Sequence, residues 1–174
     1  SGIASKTQSM LKLIEGYSTE ILDTRKTTPN FRVFEKEAVR IGGGMNHRFA
    51  LYDMIMLKDN HIDFAGGITK ALLKTNAYLK NIGKDIKVEI EVRDFEELEE
   101  ALNSGLFDRV MLDNFVPADI KKALKLIDGK YETEASGGIT ETTLRSYAET
   151  GVDYISVGSL THQVTSLDLS LKAF

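Results

Sequence analysis

Residues 86–105 read IKVEIEVRDFEELEEALNSG, and this stretch decides the predicted fold. Its opening residues alternate apolar and charged side chains, which is typical of a half-buried strand. Asp94 is a favourable N-cap residue for the helix that follows, and Gly105 is a favourable helix stop. The stretch therefore predicts one βα unit, with a strand over residues 86–92 and a helix over residues 94–104.

The same alternation of strands and helices extends to both sides of this unit. Predicted strands begin roughly every 22 residues, about the length that one βα unit with short loops requires. Repeated βα units imply a parallel sheet covered by helices. The other predicted elements are helices at residues 4–15, 33–39, 68–80, 117–127 and 140–150, and strands ending at 22 and 57 or spanning 110–112, 131–135 and 153–157.

Two architectures fit this pattern, an open doubly wound sheet and a closed or nearly closed barrel. Lys58, Asp113, Ser136 and Gly158 each follow a predicted strand, and Glu91 lies close to the end of one. In barrels this end of the strands carries the active site, whereas a doubly wound sheet concentrates function at one crevice. The distribution of unusual residues therefore favours an α/β barrel.

Composition is consistent with one domain over residues 1–174, comprising a leading helix within 1–16 and βα units over 17–174. No apolar run is long enough to cross a bilayer. The absence of cysteine excludes disulfides and thiolate metal sites, and fits a cytoplasmic protein. With a net charge of −4, the chain lacks the basic excess of nucleic-acid-binding proteins. Its local cation clusters favour a small anionic ligand.

Residues 23–29 (DTRKTTP) place two cations side by side, immediately after a predicted strand. Neighbouring residues on extended chain point to opposite sides, so Arg25 and Lys26 can contact two adjacent anionic groups. A solvated loop is the simpler interpretation of this motif alone. His47, Arg48 and Lys58 bring the candidate cations to five, more than a monophosphate requires.

Acidic residues accompany these cations. Glu89 and Glu91 share one face of a strand, which points either into a barrel or outward to solvent; an isolated Glu-x-Glu is more often solvated. Asp113 follows the next strand, where it could also cap a helix. Lys58 could likewise be an ordinary surface lysine. Mg²⁺ carried in by a phosphate ligand would suit Glu91 and Asp113, whereas the three histidines lack zinc-site spacing.

Two glycine loops complete the candidate site. Residues 136–140 (SGGIT) join a strand to a helix predicted to begin near Thr140, and residues 158–162 (GSLTH) repeat this arrangement one unit later. Backbone N–H groups exposed by glycine, together with a helix N-terminus, form phosphate cradles. Phosphate sites after the last two strands recur in barrels.

Seven ordered motifs resemble those of the quinolinate phosphoribosyltransferases, also called nicotinate-nucleotide pyrophosphorylases (carboxylating). The motifs are DTRKTTP at 23–29, GGGMNHR at 42–48, KDNH at 58–61, VEIE at 88–91, LDN at 112–114, ASGGI at 135–139 and GSLTH at 158–162. This resemblance implies an incomplete, TIM-like α/β barrel. In the family it is preceded by an α/β sandwich domain, which we expect to be missing from this chain, and the enzymes are homodimers or larger assemblies.

The resemblance implies transfer of a phosphoribosyl group from phosphoribosyl pyrophosphate (PRPP) to quinolinate with decarboxylation. The product is nicotinate mononucleotide for NAD synthesis, and Mg²⁺ accompanies PRPP. Without the sandwich domain, which covers the barrel mouth and contributes an arginine to the partner subunit's site, we expect weak substrate binding and poor turnover. A related phosphoribosyltransferase for another aromatic acid, or a non-catalytic phosphate-binding barrel, remains open.

The site residues implied by the resemblance fall into three groups. Catalytic roles go to Lys58, Glu91 and Asp113. Quinolinate would contact Arg25, His47, Arg48 and Lys58. PRPP would contact Lys26, Glu91, Asp113, Ser136, Gly137, Gly138, Gly158 and His162. Thr24, Val157 and Ser159 are further substrate-binding candidates.

Overall fold

The computed structural model describes residues 2–163, 165 and 168–173. These residues form six strands and eight helices: α1 (Gly2–Leu13), β1 (Glu20–Leu22), α2 (Arg32–Ile41), β2 (Ile55–Leu57), α3 (Asp59–Ala65), α4 (Ile68–Ile82), β3 (Val88–Val92), α5 (Phe95–Ser104), β4 (Arg109–Asp113), α6 (Pro117–Ile127), β5 (Glu132–Ser136), α7 (Leu144–Ala148), β6 (Tyr154–Ser156) and α8 (Ser159–His162). None of the described helices is both long enough and apolar enough to span a membrane.

All six strands belong to one parallel sheet in the order β1-β6-β5-β4-β3-β2. From β2 to β6 the spatial order follows the chain, and β1 lies beside β6. This order contains no reversal point, so the doubly wound alternative is wrong. Within the described residues β1 and β2 do not pair; only a bridge from Leu22 to Met45 extends the sheet at β1. The expected incomplete α/β barrel is confirmed.

The strands separate an apolar layer from a polar barrel interior. Ile90, Leu112 and Ile155 are fully buried beneath the helices, in one core cluster with helix residues such as Leu98 and Ile120. The alternate strand positions face the interior, because neighbouring side chains on a strand point to opposite faces. There the sheet register aligns Glu89 with Arg109, Glu91 with Met111, and Met111 with Glu134. The strand arrangement therefore points charged groups into the barrel.

The interpretation of Glu89 and Glu91 as solvated residues is wrong. Glu89 is fully buried and Glu91 is only 7% exposed, because both face the barrel interior. Their burial requires a cation or proton nearby, since unpaired buried carboxylates are strongly disfavoured.

Two helices differ from the sequence prediction, one in its length and the other because it was not predicted. The helix expected over residues 140–150 is confined to α7, because a threonine turn precedes it: the Thr140 N–H donates to Thr143 Oγ1 at 3.0 Å. Helix α3 was not predicted. It begins directly after Lys58, whose N–H donates to His61 Nδ1 at 2.9 Å.

Glycines bring the leading helix α1 against the loop after α2. A Cβ on Gly42 would lie 2.5 Å from the Ala4 carbonyl oxygen and 2.7 Å from Thr7 Cβ. A Cβ on Gly44 would lie 2.8 Å from Thr7 Cγ2. Part of the glycine run at 42–44 therefore serves close helix packing, which places the following His47 and Arg48 at the barrel mouth.

Candidate active site

Two adjoining cavities occupy the carboxyl ends of the strands. The smaller cavity, of about 310 Å³, is lined by cations, and the larger, of about 680 Å³, is lined by acidic and glycine residues. Five residues line both cavities: Thr24, Lys26, Lys58, Ser136 and Ser156. The two cavities therefore form one continuous site with two chemically different ends.

The cationic end brings together three residues from two separate segments, Arg25 from one and His47 and Arg48 from the other, with Lys58 at its border. Arg25 Nε is buried and has no hydrogen-bond partner among the described residues. Arg48 Nη1 donates to the Met54 carbonyl at 3.2 Å. Burial, and then the neighbouring Arg25 guanidinium, lower the pKa of Arg48. Two guanidiniums held close together, one with an unused donor, are suited to a carboxylate ligand.

A buried cluster, which we call the Asp23 clip, joins the two cationic loops. Lys36 Nζ donates to Asp23 Oδ1 at 2.5 Å and to the His47 carbonyl at 2.9 Å. Asn46 Nδ2 donates to Asp23 Oδ2 at 2.6 Å, and the His47 N–H donates to Asp23 Oδ1 at 2.9 Å. Burial raises the pKa of Asp23 and lowers that of Lys36, although each group opposes the shift of the other. The clip fixes the loop after β1 relative to the loop before β2.

Lys58 occupies the boundary between the two ends. Its Nζ lies 2.5 Å from Glu91 Oε2 across the opening of the barrel. Lys58 is about half exposed on its side chain, whereas Glu91 is nearly buried. Asp113 ends β4 opposite Ser136 and accepts a 2.6 Å hydrogen bond from Asn114. Asp113 thus faces the larger cavity and does not cap α6, whose N-cap residue is Val116.

The glycine end exposes backbone donors. Among the described residues, the N–H groups of Gly137, Gly138, Gly158 and Ser159 have no hydrogen-bond acceptor. Gly137 has a φ of +97°, and a Cβ there would clash with Oδ1 of Asn114 and lie 2.7 Å from its Cγ. Glycine is therefore required at Gly137. These free N–H groups form an anion cradle, although the predicted helix start at Thr140 does not contribute to it.

A buried charge network lies beneath the cationic end, and sequence reasoning missed its arrangement. His47 Nε2 lies 3.0 Å from Glu89 Oε2 and 3.3 Å from Glu134 Oε2. Arg109 Nη1 lies 3.3 Å from the same Glu134 oxygen. Burial opposes charging of His47, but Glu134 and Glu89 together raise its pKa to about 9. Burial, and then Glu134, raise the pKa of Glu89 to about 7.

One contact opposes the charged form of His47. The Arg48 N–H donates to His47 Nδ1 at 2.6 Å, an interaction that only the neutral imidazole accepts. A neutral hydrogen bond contributes about 0.5–1.5 kcal/mol, whereas removing one charge from a buried ion pair costs about 3–5 kcal/mol. The two carboxylates therefore outweigh the Arg48 N–H, and we assign the imidazolium form.

Lys6 and Ser156 are two of the lining residues that were not predicted as site residues. Lys6 from α1 lines the larger cavity and donates from Nζ to the Ser159 carbonyl at 3.0 Å. Ser156 lines both cavities from β6. Lys6 carried no sequence signal because it sits in an ordinary amphipathic helix. Ser156 could have been found from its position two residues before Gly158, on the same strand face.

Val157 is the one predicted binding residue whose side chain lies elsewhere. It is buried in the hydrophobic core, and its N–H donates to the Leu22 carbonyl at 2.9 Å. The Val157 side chain is therefore not available to a ligand. The other predicted residues all line one or both cavities.

A larger cavity of about 760 Å³ lies outside this site, beside α1 and α2. Its lining includes Phe31, Phe34 and Ala38. Lys26 and Glu35 are the charged residues in this lining, and His162 also contributes to it. Its described lining residues include no cluster of cations like that of the smaller cavity. Size alone does not make it the stronger candidate.

The fold and the two-ended site define a class of protein: an α/β-barrel protein whose candidate site, at the carboxyl ends of its strands, is suited to anionic small molecules. Residues 3–172 match the family model described as quinolinate phosphoribosyl transferase, C-terminal domain. The chain belongs to that family.

Curated relatives agree with this family assignment. Mitochondrial quinolinate phosphoribosyltransferase (decarboxylating) 2b of Nicotiana tabacum is 45% identical over 186 residues, covering 99% of this chain and 52% of the relative. A probable nicotinate-nucleotide pyrophosphorylase (carboxylating) of Bacillus subtilis (strain 168) is 46% identical over 171 residues, covering 98% of this chain and 58% of the relative. The chain thus spans about half the length of the curated relatives it matches.

Solved structures confirm the architecture. NadC from Streptococcus pyogenes superposes with a TM-score of 0.92 at 46% identity, covering 99% of this chain and 59% of that chain. The nicotinate-nucleotide pyrophosphorylase from Pyrococcus furiosus superposes with a TM-score of 0.74 at only 16% identity, covering 97% of this chain and 48% of that chain. The latter likeness shows the fold alone.

Proposed function

We propose that this barrel carries the site for phosphoribosyl transfer from PRPP to quinolinate, with decarboxylation to nicotinate mononucleotide. One observation carries the proposal: a pocket with an unpartnered arginine donor opens directly into a cradle of free glycine N–H groups. A dicarboxylate and a phosphorylated sugar would fit the two ends side by side. The names of the curated relatives support the same pair of substrates.

The acceptor would occupy the cationic end. Quinolinate carries two carboxylates on neighbouring ring carbons, and Arg25, His47 and Arg48 line the smaller cavity from two loops. Lys58, at the border, exchanges its contact with Glu91 for a carboxylate or phosphate oxygen. A nicotinate-type monocarboxylate would leave part of this cationic set unused.

The donor would occupy the glycine end. The 5′-phosphate of PRPP would accept from the N–H groups of Gly137, Gly138, Gly158 and Ser159. Lys26 and His162 line the same cavity and supply further positive charge or donors. Glu91 and Asp113 would face the ribose, where their oxygens can accept from its hydroxyls.

The reaction requires positioning and electrostatics more than a protein nucleophile. The bond from ribose C1 to pyrophosphate breaks as the pyridine nitrogen forms a new bond to C1, and pyrophosphate takes the electron pair. Glu91 and Asp113 stabilise the positive charge that develops on the ribose, and Lys58 and Lys26 stabilise the leaving group. Loss of CO₂ then leaves an electron pair at ring C2, next to the cationic nitrogen, and a proton completes the product.

The donor set also fits Mg²⁺. Glu91 and Asp113 offer carboxylate oxygens beside the phosphate cradle, and such oxygens together with substrate phosphates are the usual ligands of this ion. When bound, Mg²⁺ would offset the negative charge of the pyrophosphate. This assignment is part of the proposal.

Calorimetric titration with quinolinate tests the proposal. We expect Arg48→Ala and Lys58→Ala to weaken binding, Arg48→Ala by about tenfold or more because a charge-assisted contact contributes roughly 1.5–3 kcal/mol. Arg145→Ala is the matched control, since Arg145 is exposed and pairs with Glu149 on the outer surface. Undiminished heat in both site variants would overturn the assignment. Tighter binding of nicotinate than quinolinate would favour a different aromatic acid as substrate.

Two further expectations remain proposals. Homo-oligomer formation is supported by exposed apolar side chains on α2 and residues 49–52. Cytoplasmic location is supported by the cysteine-free sequence, although the Nicotiana tabacum relative is named as mitochondrial. Fractionation of the source cells would test the location directly.

A further inference from the structure

The cationic end has a second layer of charge that no contact with substrate explains. Glu89 and Glu134 are fully buried, and the Oε1 atom of each has no hydrogen-bond partner among the described residues. Both face His47 at ion-pair distance. Carboxylates in such a place are strongly disfavoured unless a fixed positive charge balances them.

The positive charges around this layer alternate with the negative ones. Arg109, on β4, is held from below by Glu132, to which its Nε and Nη2 donate at 3.0 and 2.8 Å. Its remaining nitrogen approaches Glu134 on β5, Glu134 approaches His47, and His47 approaches Glu89 on β3. A chain of opposite charges thus runs from the base of the barrel to the floor of the cationic end.

Other charged groups reach His47 from its own side of the site. Its backbone is held by the Asp23 clip, through Asp23 and Lys36. The guanidiniums of Arg25 and Arg48 share the cavity and oppose a further positive charge. Only the carboxylates below can hold the imidazole protonated among these cations.

We propose that Glu134 and Glu89 are positioning residues that keep His47 charged and oriented beneath the cationic end, where its positive charge attracts a carboxylate of the acceptor. The inference rests on the proposed function for the identity of that carboxylate. The charge state of His47 itself does not depend on any ligand. Arg109 supports the arrangement by fixing Glu134.

Histidine NMR of the isotope-labelled chain tests whether Glu134 keeps His47 charged. The protein has three histidines, so a His47→Asn variant assigns the resonance. We expect native His47 to titrate well above pH 7, and Glu134→Gln to lower its midpoint by about one pH unit or more because an adjacent negative charge is removed. Glu149→Gln, on the outer surface, should leave it unchanged. A native midpoint near 6.5, or no change in Glu134→Gln, would overturn the proposal.

Quinolinate calorimetry at two pH values tests whether the charge of His47 contributes to acceptor binding. In Glu134→Gln, affinity should fall about twofold or more at pH 8, where a midpoint lowered by one unit or more leaves about half or less of His47 charged. At pH 6 affinity should be almost unchanged, because His47 is protonated again. Equal losses at both pH values would assign Glu134 a merely structural role. If Glu134→Gln does not fold, Glu89→Gln provides the same comparison. If the native chain binds no quinolinate while His47 titrates high, the proposed function fails but the assigned charge of His47 stands.

Discussion

At the scale of single residues, burial decides which charges can do chemistry. Glu91 and Lys58 pair at the cavity boundary, where both can turn to substrate. Glu134 and His47 pair out of reach of water, where each fixes the state of the other. Residues of the same two chemical types therefore have different tasks, set by depth in the barrel.

The raised pKa of His47 makes stability depend on pH. Its folded-state pKa is about 9, above the ordinary 6.5, so the stabilisation is complete below pH 6.5 and is lost as pH rises through 9. We expect the free energy of unfolding to fall by roughly 1–3 kcal/mol over that window. The pKa of Glu89 is also raised, from 4.5 to about 7, so its burial lowers the free energy of unfolding as pH rises through that lower range. Urea unfolding at pH 6.5 and 9 should show a smaller loss for His47→Asn; identical losses would contradict the assignment.

The glycine end offers a matched pair of substitutions. Gly137 and Gly151 both have positive φ, but only Gly137 lies against another residue, Asn114. Gly151→Ala should cost about 1–2 kcal/mol from φ alone. Gly137→Ala should cost about 1–3 kcal/mol more from the clash, and should also weaken binding of inorganic phosphate. Equal stability and equal phosphate binding in the two variants would show that Gly137 is not constrained by its neighbour.

At the scale of elements, one helix supports the site from behind. Helix α2 supplies Lys36, the buried member of the Asp23 clip, although its sequence reads as a polar surface helix. The clip joins segments far apart in sequence, and through them it sets the distance between Arg25 and Arg48.

Breaking the clip should affect stability and ligand binding together. We expect Lys36→Met to cost about 3–5 kcal/mol because it leaves Asp23 buried without its cation. Quinolinate affinity should fall in parallel, since the His47 loop loses its anchor. Arg40→Ala on the same helix removes an exposed pair with Glu37 and should leave the free energy of unfolding almost unchanged. Denaturant unfolding of both variants distinguishes them, and equal costs would show that the clip is not structural.

The sequence was sufficient for those elements whose local signals agree with their packing. The unit at residues 86–105 was predicted because alternation, N-cap and glycine stop all coincide. Strand β5 shows the limit: Glu134 lies in a polar segment, ETEAS, with no apolar alternation to indicate burial. Its burial results from the strands curving around a shared interior, which depends on the whole sheet. The strand-end residues could be predicted because each follows a local strand signal. The charge network beneath them could not, because it depends on how the whole sheet curves.

At the scale of the whole molecule, the surface beside the site is unusually apolar. Large exposed side chains include Val33, Phe34, Ile41, Leu51 and Tyr52. Patches of this kind mark interaction surfaces in many proteins. They lie on α2 and the loop before β2, the elements that carry the clip and the cationic loops.

We expect the chain to self-associate through this surface. Phe34→Lys should lower the sedimentation-average mass at a given concentration, because a charge replaces apolar contact area. Phe64→Lys is the control, since Phe64 is 92% exposed on α3. A native chain that sediments as a monomer at all concentrations would refute this expectation, as would an equal effect of both variants.

A crystal structure of the chain with quinolinate and phosphate tests the central claim most directly. We expect the two quinolinate carboxylates to lie above His47, within hydrogen-bond distance of Arg25 Nε and the Arg48 guanidinium. We expect phosphate to accept hydrogen bonds from the N–H groups of Gly137 and Gly158. Quinolinate bound anywhere else on the molecule, or phosphate bound away from both glycine loops, would contradict it.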